Sequence, residues 1–269
     1  MYAKRMTRQN AFSLVELAIV LVILGLLTGG ILAGRALIRA SELRSVSTEH
    51  ARWHIATKAF RDKYLGLPGD IVNATAFWGA AANCPGTELQ PSTDSTTCNG
   101  NGDSQLTHGG PTSGFGNEMF RYWQQLANAG LVEGQFSGVR GDSNNYRTLA
   151  STNVPASKLP KAVWMVRWWG YIDNPGGTAW NMAVGDYGNA FMFASNLTQN
   201  DGIPVLSGPE AWNIDTKMDD GFPLTGAIWS YRAGSPLAPD CATTVFSSTS
   251  QYDTTLNEPV CGLIFRKQF

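Results

Sequence analysis

An α+β fold, in which one long N-terminal α-helix packs on an antiparallel β-sheet, is predicted by three observations. Residues 17–34 contain no Lys, Arg, Asp or Glu, about the length a membrane-crossing helix needs. From residue 35 to 64 there is neither Pro nor Gly, and apolar residues recur at Leu37, Ile38, Leu43, Val46, Trp53, Ala56, Phe60 and Tyr64. Intervals of three, four and seven make one helical stripe. Beyond residue 160, short runs rich in aromatic residues and Val alternate with Gly, Pro and Asn clusters, the pattern of strands and turns.

The first element is a basic leader. Lys4, Arg5 and Arg8 stand among the first ten residues with no acid, an imbalance that keeps this end on the cytoplasmic side of a membrane. The helix follows, with one anomaly: Glu16 lies at the head of the apolar run. A carboxylate placed against lipid costs several kcal/mol, about 2.5 to 3.5 for the related Asp, so it points to function. No basic residue follows it before Arg35. A plain signal anchor, with Glu16 at the headgroup level, is the bland alternative.

An ordinary secretory signal places its apolar core ahead of the cleavage site. Here the small residue Ala11 precedes the core. Cutting after it would leave the helix attached and create an α-amino group on Phe12, about one helical turn from Glu16. The stretch Ala11-Phe12-Ser13-Leu14-Val15-Glu16 resembles the processing site of type IV pilins and pseudopilins, whose pattern is a small residue, usually Gly, then Phe-Thr/Ser-Leu-Ile/Val-Glu. Ala11 departs from the usual Gly. The resemblance implies that residues 1–11 are a leader removed by prepilin peptidase, which also methylates Phe12. It implies that Glu16 directs assembly, that residues 12–34 form a transmembrane and later filament-core helix, that residues 35–64 form an amphipathic helix, and that residues 65–269 form a globular head. The partners it implies are the peptidase, copies of this chain or other pilins, and an inner-membrane assembly platform. The location implied is the inner membrane before assembly and a periplasmic or extracellular filament after it. Lys63 to Asp70, with Asn73-Ala74-Thr75, also looks like a subgroup of large pilin-like proteins of Gram-negative bacteria.

A helix over residues 12–64 would be about 80 Å long. Gly25, Gly29 and Gly30 lie within it; close packing between membrane helices and the plain frequency of glycine in such helices both account for them. Arg39, Glu42, Arg44, Glu49, Arg52, Lys58, Arg61 and Asp62 are expected on the face opposite the stripe. Gly66 and Pro68 stop the helix. Residues 83–116, rich in Gly, Ser, Thr, Asn and Pro, read as a long loop. Inside it, Asn99-Gly100-Asn101-Gly102-Asp103 places oxygen ligands at alternate positions, but Ser104 and Gly110 fail the calcium-hand pattern, and a turn-rich loop is preferred.

A second helix is expected over residues 117–129, with Phe120, Trp123, Leu126 and Ala127 on its docking face. Strands are expected over 162–172, as a hairpin within 180–194, over 227–232 and over 262–267, with the amphipathic half of the first helix on the sheet. Pro209 and Gly221 frame a short helix. Asp215, Asp219 and Asp220 are weak candidates for a structural calcium site, such as some pseudopilins carry near their C-terminal end; capping and turn formation explain the same residues without metal, and no cofactor is expected.

Four cysteines, Cys84, Cys98, Cys241 and Cys261, all follow the apolar run. In an oxidising compartment they suggest two disulfides; three connectivities exist, and proximity in sequence favours Cys84 with Cys98 and Cys241 with Cys261. The overall charge is −1, and removing the leader's three cations from 20 Lys and Arg leaves 17 against 21 Asp and Glu. No basic face for nucleic acid is implied. His50 and His54 stand four apart on the first helix, and His108 lies in the long loop. They form no zinc-protease pattern, and no nucleophile, base or phosphate loop is evident, so an enzyme is not expected. Trp164, Trp168, Trp169, Trp180, Trp212 and Trp229 suit a core or interface better than a sugar platform. The function expected is a structural subunit of a type IV pilus-like filament, with a type II secretion pseudopilin or a pilus-anchored glycan-binding adhesin as alternatives.

Overall fold

The computed structural model describes residues 13–82, 84, 95–107, 118–141, 147–173, 184–195, 202–231, 241–243 and 249–269. Helix α1 spans Leu14–Tyr64 without a break at Gly25, Gly29 or Gly30. The chain divides into two compact units, Met1–Glu42 and Leu43–Phe269, with the division inside this helix.

In the first unit the apolar residues of α1 are exposed: Leu14 at 88%, Leu26 at 73% and Leu32 at 66%. The helix is long and apolar enough to cross a membrane. The apolar stripe behaves differently on the two sides of the division. Leu37 and Ile38 remain exposed, whereas Val46, Trp53, Ala56 and Phe60 are buried. Burial of the stripe thus starts near Leu43, about two turns later than Arg35, where amphipathic spacing begins.

The second unit is built on a four-stranded antiparallel sheet in the order β1-β4-β6-β5, with β1 at Val163–Trp168, β4 at Asn189–Ala194, β6 at Gly262–Phe265 and β5 at Ile228–Tyr231. Its register pairs Trp164 with Phe193 and Phe193 with Leu263, and pairs Val166 with Phe191 and Phe191 with Phe265. Directly opposed residues share a face, so these side chains form one layer. The second half of α1 lies on that layer: the His50 ring stacks on Phe265 at 4.5 Å and meets Phe191 edge-on at 5.9 Å. Met165, Met192, Ile264 and Trp229 take the other face and are buried as well.

The sheet differs from expectation in two places. Residues 162–172 form two strands in different sheets, because Gly170 at φ 59° turns the chain after Trp168. Strand β2, Tyr171–Ile172, pairs with β3, Gly185–Asp186, in a separate two-stranded sheet. Gly185-Asp186, expected as the turn of a hairpin over 180–194, is therefore a strand, and β4 pairs with β1 and β6 instead. Residues 180–183 and Arg232 lie outside the described residues.

Helix α2, Ala74–Trp78, follows the Gly-Pro stop. Tyr64 packs on Trp78 and Phe77 at 5.1 and 4.9 Å. Helix α3, Glu118–Asn128, is buried from Glu118 through Leu126 on every side, rather than on the single face expected. Gly69, at φ 86°, explains how it fits: a Cβ there would lie 2.3 Å from the Glu118 carbonyl oxygen. Helix α4, Gly208–Met218, has Pro209 in its first turn and Gly221 beyond its end as anticipated, and the structure adds Ser207 as N-cap, with the Glu210 carboxylate accepting from the Ser207 N–H at 3.0 Å.

Candidate assembly site and the clasps of the head

The head of α1 carries the only carboxylate of its apolar segment. The first N–H groups of a helix have no intrahelical acceptor, and a Ser followed three residues later by a Glu meets that need reciprocally. Ser13 and Glu16 have this spacing. The Glu16 Oε2 accepts from the Ser13 N–H at 2.9 Å, the Ser13 Oγ accepts from the Val15 N–H at 3.3 Å, and the Ser13 carbonyl accepts from the Leu17 N–H at 3.1 Å. Glu16 therefore has a partner within its own chain, and its negative charge lies at the favourable end of the helix dipole. A reading of charges alone misses Ser13; the Ser-x-x-Glu signature ahead of an apolar run would have found it. Ala11 and Phe12 lie outside the described residues.

Along the same segment a Cβ built on Gly25, Gly29, Gly30 or Gly34 meets nothing within 4 Å. These positions form flat, unoccupied stretches of helix surface. The hydroxyl of Thr28 donates to the Leu24 carbonyl, which satisfies a polar group that would otherwise face an apolar medium.

Carboxylates also organise the head. Glu49, expected on the polar face of α1, is only 8% exposed. Its Oε2 accepts from the Trp164 indole N–H at 2.7 Å and its Oε1 from the Lys158 N–H at 2.8 Å, joining α1 to β1 and the turn before it. Asp70 accepts from the N–H groups of Gly102 at 2.7 Å and Ser104 at 2.8 Å. Glu118 accepts from the N–H groups of Asn101 and Thr107 and from the Thr107 hydroxyl at 2.8 Å. The oxygen-rich stretch 99–103 is thus a loop folded around two acids. Burial raises Asp70 above the usual carboxylate range and pushes Glu118 from 4.5 to about 7. Burial also lowers His50, which hydrogen-bonds Gln268 at 2.6 Å, from 6.5 to about 4. His54 is its neighbour on the helix and is exposed; His108 lies outside the described residues.

The disulfides join Cys84 to Cys98 and Cys241 to Cys261, with Cα separations of 5.3 and 5.0 Å. Near the second bridge, Asp215, Asp219 and Asp220 have carboxylate oxygens within 4.8 Å of one another. The same carboxylates serve the chain. Asp215 accepts from the Tyr252 hydroxyl at 2.7 Å and the Gly221 N–H at 3.2 Å, Asp219 from Ala227 and Ile228 N–H, and Asp220 from the Phe222 N–H and the Thr225 hydroxyl. Burial raises Asp215 from 3.8 to about 7. Of the tryptophans, Trp164 and Trp229 are core, Trp229 under the Arg266 guanidinium at 3.6 Å, whereas Trp168 and Trp212 are 36% and 46% exposed. Trp180 lies outside the described residues.

No curated protein and no solved structure matches the chain. Residues 6–32 match the prokaryotic N-terminal methylation motif, a family model whose span includes Glu16 and most of the exposed apolar helix. With that motif, a long N-terminal apolar helix and a β-sheet domain behind it, the chain is consistent with a type IV pilin-like protein.

Proposed function

We propose that this chain is a structural subunit of a type IV pilus-like filament. The observation that carries the proposal is a helix whose apolar side chains from Leu14 to Leu32 are exposed all round, with a single carboxylate at its head and a methylation motif across it. The motif implies processing by prepilin peptidase and membrane insertion of the helix. Cleavage between Ala11 and Phe12 supplies an α-amino group, and Glu16 of an incoming subunit exchanges its Ser13 N–H for the Phe12 amino group of the subunit at the filament base. The exposed helices then bundle, replacing lipid contacts by contacts with copies. A carboxylate removed from water and lipid headgroups demands such a partner.

Replacing Glu16 by Ala should reduce surface filaments to background while membrane levels of processed protein stay normal. Electron microscopy of sheared material and mass spectrometry of the mature N-terminus provide the readouts. Filaments at normal number with Glu16→Ala would rule out the pairing, and an unprocessed N-terminus beginning before Phe12 would rule out the cleavage position.

A further inference from the structure

The second unit carries a cleft of about 600 Å³ on the last three turns of α1, lined by His54, Lys58, Arg61, Leu65 and Leu67, with Ser104 and Gln268 opposite. That volume lies within the range of binding pockets. Lys58 and Arg61 are exposed and make no ion pair among the described residues. Asp62 and Phe269 also line this cleft, so its cationic character is local to Lys58 and Arg61.

Leu65 supplies an independent observation. It is the first residue past α1, its N–H closes on the Arg61 carbonyl at 2.9 Å, and its φ is 60°. Glycine is the preferred residue in that left-handed position at a helix end, because a Cβ is disfavoured there. Here a leucine occupies it, and it is 92% exposed. Its N–H helps to close α1, but a side chain this exposed adds little to the packing of this chain, and a backbone outlier of this kind is the starting point for a contact-site hypothesis.

The surface that complements this cleft lies on the same chain. The turn after α4 presents Asp220 and Phe222, both exposed, Phe222 at 44%. An acid and an aromatic ring two residues apart match a pair of cations beside an exposed leucine. The turn is held in shape by Asp215, Asp219 and Asp220 through the bonds described above, so docking would order little new chain. Lys217, one turn back, bonds to Asn213 at 2.7 Å.

We propose that the α4–β5 turn of a second copy docks in this cleft, with Asp220 against Lys58 and Arg61 and Phe222 against Leu65 and Leu67. The two patches occupy different parts of one chain, so the contact is head-to-tail and propagates from copy to copy instead of closing as a symmetric dimer. It deepens the filament reading and rests on it for the repeating array of copies.

The test places a photo-reactive benzoyl-phenylalanine at position 222 of the full-length chain in its own membrane and maps cross-links by mass spectrometry, while sheared filaments are counted separately. Cross-links into residues 57–67 of another copy are expected. Cross-links to a different protein or to another segment, or none at all, overturn the interface. Filaments without the mapped cross-link remove the interface and leave the filament reading standing; the cross-link without filaments does the reverse.

Two variants sharpen the result. Leu65→Gly should leave the melting midpoint unchanged or higher, yet cut the cross-link yield about tenfold; an unchanged yield contradicts the role of Leu65. Arg61→Asp and Asp220→Arg should each lower the yield about tenfold and together restore most of it, the signature of two groups in contact. Because Asp220 also shapes its turn, Arg61→Asp combined with Thr216→Arg, a cation placed on the exposed surface of α4 ahead of the turn, serves as the control with the photo-reactive residue kept at 222: no recovery is expected there, and recovery would sink the pairing.

Discussion

Two halves of α1 share one backbone and live in opposite environments. Between Leu14 and Leu32 apolar side chains are exposed on all sides; between Val46 and Phe60 one stripe is buried at 5% exposure or less. On the proposed filament reading, the first half is uniform because lipid tails or other helices approach it from every direction. The second half is asymmetric because a single sheet lies on one side of it. The same α-helical geometry therefore serves two kinds of packing, and the polar residues tell them apart. Glu16 in the first half is satisfied by a local N–H three residues away, and Glu49 in the second by groups more than one hundred positions distant.

The largest effect expected from testing this contrast is in the buried half. Phe60→Ala or Trp164→Ala should cost the head about 3–5 kcal/mol in chemical denaturation, since each removes a fully buried ring. A loss under about 1 kcal/mol would mean that α1 does not pack on the sheet as described. Glu49→Ala should cost about 1–3 kcal/mol, because the Trp164 indole N–H and Lys158 N–H would lose their acceptor inside the core. Glu49→Gln, which keeps an acceptor oxygen, should recover part of this.

Stability against pH comes next. Glu118 and Asp215 have folded values near 7, raised by burial, so their contribution is fully present below about pH 4 and is lost as pH rises through 7. His50 is lowered to about 4, so its contribution is present above 6.5 and is lost as pH falls through 4. Thermal melting of Glu118→Gln and Asp215→Asn between pH 5 and 8 should show a weaker decline with rising pH than the parent chain, and His50→Gln a weaker decline toward acid. Slopes identical to the parent would mean these groups titrate normally. The smallest stability change belongs to the exposed half: Leu21→Ala should alter head stability by less than about 0.5 kcal/mol while lowering filament yield. A matching drop in head stability would erase the distinction between the two halves.

Much of this architecture was legible before folding was considered. The end of α1 at Tyr64 follows from Gly66 and Pro68, α4 from Pro209 and Gly221, and the strands at β4, β5 and β6 from short aromatic and aliphatic runs. These are local signals, in which the residues that decide the structure adjoin it. The failures were non-local. Glu49 reads as a surface charge because its partners Trp164 and Lys158 are remote in sequence. Residues 162–172 read as one strand because nothing local says that Tyr171 will pair with Asp186. Helix α3 reads as amphipathic because Arg121, Gln124 and Gln125 are polar, yet the chain closes over them: Gln124 accepts from the Thr97 hydroxyl at 2.8 Å and Gln125 from the Gly69 N–H at 2.6 Å.

By itself, then, the sequence determined the apolar helix, its lone carboxylate and its methylation motif, since periodicity, charge and spacing are properties of neighbouring residues. The tertiary structure alone decided where the stripe on α1 begins to be buried and which acids clasp loops. It also decided that Leu65 would stand exposed beside Lys58 and Arg61. Each of those depends on desolvation, and desolvation is set by whichever distant segments arrive.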